Sequence, residues 1–159
     1  MIAETHKIIP LLIATNFGTS GETMESFKML GDKATVILTF GAIVGNAVLK
    51  VYSGATDAAV SSLMPFRYAV AGGTIKAASA DYLGAWSTAT ASSGITLTAA
   101  TYTSKMAILE IDADDMDKAN NEEWLTITLS SAASSGILHA VAIVENPRYA
   151  GNRSATLLA

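Results

Sequence analysis

KMAILEIDADDMDKANNEEWLTITLSSAASSGILHAVAIVENPRYAGNRSATLL, residues Lys105 to Leu158, holds three apolar runs separated by one acidic turn and one turn of small residues, and leaves through Asn146-Pro147-Arg148-Tyr149. In the first two runs apolar and other residues alternate: Met106 and Ile108 lead into Leu109 to Ile111, and Trp124, Thr126 and Thr128 are set against Leu125, Ile127 and Leu129. A period of two sends successive side chains to opposite faces, the mark of a strand with one face in a core. Ile137 to Val144 is apolar throughout except for His139. That pattern predicts a strand covered on both faces, or a central strand of a sandwich.

Working outward, the same short β-branched and alternating blocks recur from Glu25 onward, broken by turn residues before a helix could accumulate several turns. The expected strands are Glu25 to Leu30, Ala34 to Phe40, Ala47 to Ser53, Phe66 to Ala71, Ile95 to Thr98, Lys105 to Asp112, Trp124 to Ser130 and Ile137 to Glu145. Gly31-Asp32, Gly45-Asn46, Gly72-Gly73 and Ser135-Gly136 tolerate the backbone of tight turns, which predicts antiparallel hairpins between several neighbours. Helix is confined to a short segment at Ala55 to Leu63 and one turn at Asp114 to Lys118. Ala77 to Ser93, rich in Ala, Ser and Thr, reads as a long loop held down by Tyr82 and Trp86. The expected fold class is all-β: an antiparallel β-sandwich of jelly-roll or Greek-key type, about eight strands, with an extended N-terminal arm.

The parts divide as an arm over residues 1–22, a β-sandwich domain over 23–146 and a tail over 147–159. The arm carries Ile8, Ile9, Leu11 and Leu12 ahead of the turn-rich Asn16 to Gly21. Extended, about twenty residues reach on the order of 65 Å, enough to lie on a neighbouring subunit. The alternative is an edge strand added to the domain's own sheet. In the tail, Arg148, Tyr149 and Arg153 are of the residue types that anchor interfaces; a frayed terminus is the alternative.

Composition narrows the function. Hydrophobic residues make up 50% of the 159, charged residues 15%, and the formal net charge is -4. With a mean hydropathy of +0.37, the chain is more apolar than the charged surface of a free monomer requires, so part of the excess is expected to face another protein. The ten Lys and Arg are scattered singly, without the basic stripe that releases counterions along a phosphate backbone, and nucleic acid is not an expected partner. The longest apolar region, Ala34 to Leu49, is interrupted by Thr39, Gly41, Gly45 and Asn46 and is shorter than the roughly 20 residues a membrane helix needs. Pro10 interrupts Ile8 to Ala14, which argues against a signal peptide. With no cysteine, thiolate chemistry and disulfides are excluded.

The remaining chemistry is sparse. Asp112, Asp114, Asp115, Asp117, Glu122 and Glu123 open like a calcium loop, but Asp117 stands where such a loop needs glycine, and the later ligand spacing fails. The segment is expected to be a solvated turn in which Asp114 caps a helical turn and Met116 docks on the core. His139 has no acidic neighbour at strand spacing, and no serine lies in a G-x-S-x-G elbow, so no catalytic triad is expected. Gly41-Ala42-Ile43-Val44-Gly45 lacks the Lys-Ser/Thr ending of a phosphate loop. Tyr82, Trp86, Phe66 and Tyr68 form either a sugar-binding platform or part of the β core. Neither an enzyme nor a cofactor or metal site is expected.

The order of elements resembles small virion structural proteins of tailed bacteriophages, in particular head decoration, or cement, proteins. The likeness is carried by Lys7-Ile8-Ile9-Pro10-Leu11-Leu12, by Ala34 to Phe40 with Ala47 to Tyr52, by Met64-Pro65-Phe66-Arg67-Tyr68, by Leu109-Glu110-Ile111-Asp112-Ala113, and by Ala140-Val141-Ala142-Ile143-Val144 leading to Arg148-Tyr149. The resemblance implies a virion protein, made in the host cytoplasm, that binds the outer capsid surface without cofactor or active site. Its implied partners are the major capsid protein and further copies of itself, as a homotrimer. It points to Ile8, Ile9, Leu11, Leu12, Arg148, Tyr149 and Arg153 as contact residues. Two alternatives stand beside it: another phage structural subunit, associated with tail tube or fibre, and a carbohydrate-binding sandwich.

Overall fold

A computed structural model describes residues 6–132 and 135–145. In chain order its strands are β1 (His6–Asn16), β2 (Glu22–Thr23), β3 (Phe27–Lys28), β4 (Lys33–Ile43), β5 (Ala47–Gly54), β6 (Ser62–Met64), β7 (Phe66–Val70), β8 (Ser87–Ala89), β9 (Ile95–Leu97), β10 (Met106–Asp112), β11 (Trp124–Leu129) and β12 (Gly136–Glu145). One short helix, α1 (Ala99–Tyr102), precedes β10. The strands form two antiparallel sheets, the first in the order β1-β12-β4-β10-β7-β8 and the second in the order β2-β11-β5-β6, with β3 also on β11 and β9 on β5. The chain is an all-β sandwich.

Alternation builds the core between the sheets. Ala34, Val36, Leu38 and Phe40 of β4, Ala107, Leu109 and Ile111 of β10, and Leu138, Ala140, Ala142 and Val144 of β12 point inward from the first sheet and are buried. Leu49 and Val51 of β5 and Leu125, Ile127 and Leu129 of β11 answer them from the second. Each such side chain removed from water contributes about 1.5–3 kcal/mol where it is of Val, Leu, Ile, Met or Phe size. The small residues Ala140 and Ala142 leave room for larger partners opposite, which is how two faces interdigitate at close packing.

Several expectations are corrected. Glu25 to Leu30 is not one strand: the ladder breaks between β2 and β3, where the buried Ser26 turns to donate its hydroxyl to Asp57 and accept from the Ala58 N–H. Ala55 to Leu63 is not helical: Ala58 takes φ 54°, and Ser62 and Leu63 pair back onto Ser53 and Tyr52 of β5. The loop Ala77 to Ser93 contains β8, which pairs with β7. Gly45-Asn46 is no hairpin but a corner from the first sheet to the second, since β4 pairs with β10 and β12 while β5 pairs with β11, β6 and β9. A Cβ on Gly45 would stand 1.8 Å from the Ala132 carbonyl oxygen, so only glycine fits that corner. Gly31-Asp32 and Ser135-Gly136 likewise join strands that do not pair with each other, and of the four expected hairpin turns only Gly72-Gly73 lies in the connection between paired neighbours, β7 and β8.

Residues 6–16, read as part of an arm over 1–22, form an edge strand of the first sheet. β1 runs antiparallel to β12 from His6 against Glu145 to Asn16 against Ile137. Ile9 and Leu11 are buried, and Phe17 beyond the strand is wholly buried, its ring lying where a Cβ on Gly136 would be. The free edge of β1 is irregular, with register shifts on either side of Leu12, φ 36° at Ala14, and Pro10, which has no N–H to offer. Leu11 also accepts from the Glu25 N–H at 3.0 Å, tying this edge to the chain entering the second sheet. These devices discourage another strand from adding to β1.

Tyr102, buried on α1, meets Phe40 edge-on with ring centroids 5.3 Å apart. Burial first, and the neighbouring Tyr68 second, push its phenol up from 10.0 to about 12. Below pH 10 the phenol is protonated in both folded and unfolded chains, and its full contribution is present. Between pH 10 and about 12 the unfolded chain ionises first, so stability falls as pH rises across that window. Urea midpoints measured from pH 9 upward are expected to drop for the native chain and to drop less for Tyr102→Phe; equal slopes would remove Tyr102 as the cause.

Candidate assembly surface

Side chains that alternate with the core of the first sheet face outward, and they are unusually apolar. One row crosses five strands: Pro10 opposes Val141, Val141 opposes Ile37, Ile37 opposes Ile108, and Ile108 opposes Ala69. No polar residue interrupts it. The adjacent row reads Ile8, Ile143, Thr35, Glu110 and Arg67 in the same strand order. On the other side lie His139, Thr39 and Met106, with Ile137 beyond them on β12.

Charge gathers at one end and comes in opposite pairs. Arg67 meets Glu110 at 3.5 Å and Lys33 meets Asp112 at 3.9 Å, with Glu145 across from Lys33. At the β8 edge the Arg67 guanidinium lies over the Trp86 ring, 5.1 Å from its centroid. Ile8 is 52% exposed, Ile137 39% and Trp86 37%, while Ile37, Ile108, Val141 and Ile143 are half-buried. Below the charged end a concavity of about 310 Å³ is lined by Lys33, Phe66, Arg67, Glu110, Asp112 and Asp115. There burial first, then the charges of Asp112 and Asp114, hold the Asp115 carboxyl above its usual range.

β12 is thus an interior strand between β1 and β4, second from the edge, and not one covered on both faces: His139 and Ile137 are exposed. Of the expected contact residues, Ile8 faces outward, Leu12 is half-buried, and Ile9 and Leu11 lie inside the chain's own core. Arg148, Tyr149 and Arg153 lie outside the described residues. Of the four aromatics considered for a sugar platform, Phe66 is buried and Tyr68 packs on the core, whereas Tyr82 is 69% exposed. Tyr82 and Trp86 therefore do not hold their loop down by burial.

The acidic turn is a pair of capped 3-10 turns. Asp112, rather than Asp114, accepts from the Asp114 N–H to cap Ala113–Asp115, and Asp117 caps Lys118–Asn120. Asp114 pairs with Lys118, and Met116 docks as expected. Glu122 turns inward and accepts hydrogen bonds from Ser53, wholly buried, and from Ser62. Among the described residues no three His, Asp or Glu converge to hold a metal ion.

The chain matches no protein-family model and no curated protein sequence. Among solved structures it is similar to the SPBc2 prophage-derived protein YomS, with a TM-score of 0.40 and 11% identity over 87% of this chain and 92% of that one. It is also similar to a structure of infectious bursal disease virus, Gt strain, with a TM-score of 0.25 and 12% identity over 92% of this chain and 42% of that one. A third is broad bean stain virus, with a TM-score of 0.19 and 11% identity over 89% of this chain and 84% of that one. None reaches the similarity from which shared function follows.

Proposed function

We propose that this chain is a structural protein of a tailed-phage virion that binds the outer surface of the assembled capsid and stabilises it. The observation that carries the reading is the uncharged row Pro10, Val141, Ile37 and Ile108 across the outer face of the first sheet, which ends against the buried Ala69 and is flanked by Ile8, Ile143, Met106 and Trp86. Contiguous apolar surface of this kind marks contact with another protein. The resemblance of the order of elements to cement proteins supports this kind of assembly. Arg148, Tyr149 and Arg153 supply residue types suited to capsid contact, and the paired charges at the end of the sheet suit a polar interface rim.

Mixing the purified protein with decoration-free mature capsids is expected to give saturable, stoichiometric binding and a higher temperature of capsid rupture. Absence of binding across low and moderate salt would sink the capsid assignment. A carbohydrate-binding sandwich is favoured by one observation, the exposure of Tyr82 and Trp86. Against it, Arg67 already covers one face of the Trp86 ring. Glycan binding that is lost in Tyr82→Ala and Trp86→Ala would establish that reading instead.

A further inference from the structure

We infer that the apolar outer face of the first sheet is covered by a second copy of this chain, packed sheet against sheet about a two-fold axis. This deepens one part of the reading above, that the chain is an assembling structural protein, and rests on that part alone; the face goes to a second copy, and capsid contact falls to other surface of the dimer. Three observations choose the occupant.

The first is charge. The chain carries a net charge of -4, so two copies repel unless they meet where charge is absent or balanced. The row Pro10, Val141, Ile37, Ile108 and Ala69 bears none, and Arg67 with Glu110 and Lys33 with Asp112 are balanced pairs. The outer face of the second sheet is different: Lys50 opposes Thr128 near its middle, and Lys28 opposes Trp124. Lys28 is paired with Glu123 and lies over the Trp124 ring, but setting the uncharged row against that face would still bury the Lys50 ammonium against apolar side chains, which is costly. Setting the face against itself places no charge in the central row and leaves Arg67 and Glu110 at its margin as a balanced pair.

The second is area. Strands about 4.8 Å apart and outward residues repeating about every 6.8 Å give three rows across five strands an extent of about 490 Å². Ile137 and Trp86 enlarge it toward the roughly 800 Å² per partner of a standard stable interface. Flat sheets stack face to face at about 10 Å, the arrangement already used inside the sandwich.

The third is the state of the edge. Pro10, the two register shifts and the Glu25 contact obstruct strand addition at β1. Association through the first sheet is thereby turned from its β1 edge toward its face. A two-fold contact uses the same patch on both copies and closes on itself.

The test is sedimentation of the full chain, with capsid binding measured in parallel. The native protein is expected to sediment as a dimer at tens of micromolar. Val141→Glu, which would place an unpaired carboxylate in the centre of each buried face, is expected to raise the dimer Kd about a hundredfold or more. Its circular dichroism should stay unchanged. Ile37→Thr with Ile108→Thr is a milder second variant, and it too should weaken the dimer.

Because the chain has no cysteine, Val141→Cys can be joined between copies by a short bis-maleimide. Thr128→Cys on the opposite sheet should not be. A monomeric native protein, a trimer, or a dimer indifferent to all these substitutions overturns the inference. So does a monomer that dimerises only after truncation at Glu145, which would assign the face to the chain's own following residues. A monomer that still decorates capsids overturns the dimer alone; a dimer that binds no capsid leaves this inference standing and removes the capsid reading.

Discussion

A chain lacking residues 1–15 is expected to be unfolded or to lose about 3–6 kcal/mol of stability, the contribution of burying two side chains of Ile and Leu size. Those two are Ile9 and Leu11, both in the core. The deletion also strips β12 of its neighbour, exposing the edge of an apolar interior strand. Domains of this class stand only about 5–15 kcal/mol above unfolding, so the loss takes a large share of the total. Urea denaturation followed by tryptophan fluorescence checks it, since Trp86 and Trp124 both remain in the shortened chain. A shortened chain with the full-length midpoint would mean that residues 6–15 contribute nothing to the domain and belong to a free arm after all.

Phe17→Ala is expected to cost about 3–5 kcal/mol, the range for deleting a buried aromatic ring. Phe17 is wholly buried, and its backbone N–H donates to the Gly136 carbonyl at 2.9 Å. A Cβ on Gly136 would stand 2.5 Å from the ring, so glycine there is what lets the ring seat. At about 2–4 °C per kcal/mol for a domain of this size, the melting temperature should fall by about 6–20 °C. Gly136→Ala attacks the same contact by overpacking, and the pair should be less than additive because the alanine at 17 vacates the space the new methyl needs. Additive losses would show that the two sites do not share that space.

The strands with clean alternation were legible at near-residue precision. β10 and β11 begin and end within one residue of the expected bounds because a half-buried strand must write its two faces into the sequence, and β12 does so as a bounded apolar run rather than by alternation. β6 and β8 were not legible: three residues hold no period, and each exists because a longer strand offers it a ladder. Sheet membership was hidden for a related reason. Gly45-Asn46 has hairpin composition, and what makes it a corner is close packing on Ala132, remote in sequence.

For the surface, the parity of β1 explains the mixed outcome: one face carries Ile8 and Pro10, the other Ile9 and Leu11, and a run of apolar residues does not say which face meets solvent. In β12 both faces are apolar, so only His139 betrayed the outward set. The crossing row from Pro10 to Ala69 could not be read at all, since it assembles one residue from each of five strands whose order depends on the fold.

The pairing of β1 with β12 also sets a clock on biogenesis. As the chain leaves the ribosome, β1 finds β12, its ladder partner among the described residues, about 120 residues later. At about 5–20 residues per second, that leaves an apolar strand waiting about 6–24 s before it can be shelved. Folding therefore cannot proceed piecemeal from the start of the chain. Nascent molecules carry an unsheltered Ile-Ile-Pro-Leu-Leu segment until β12 is made, and a proline within such an apolar run discourages pairing between neighbours on one message.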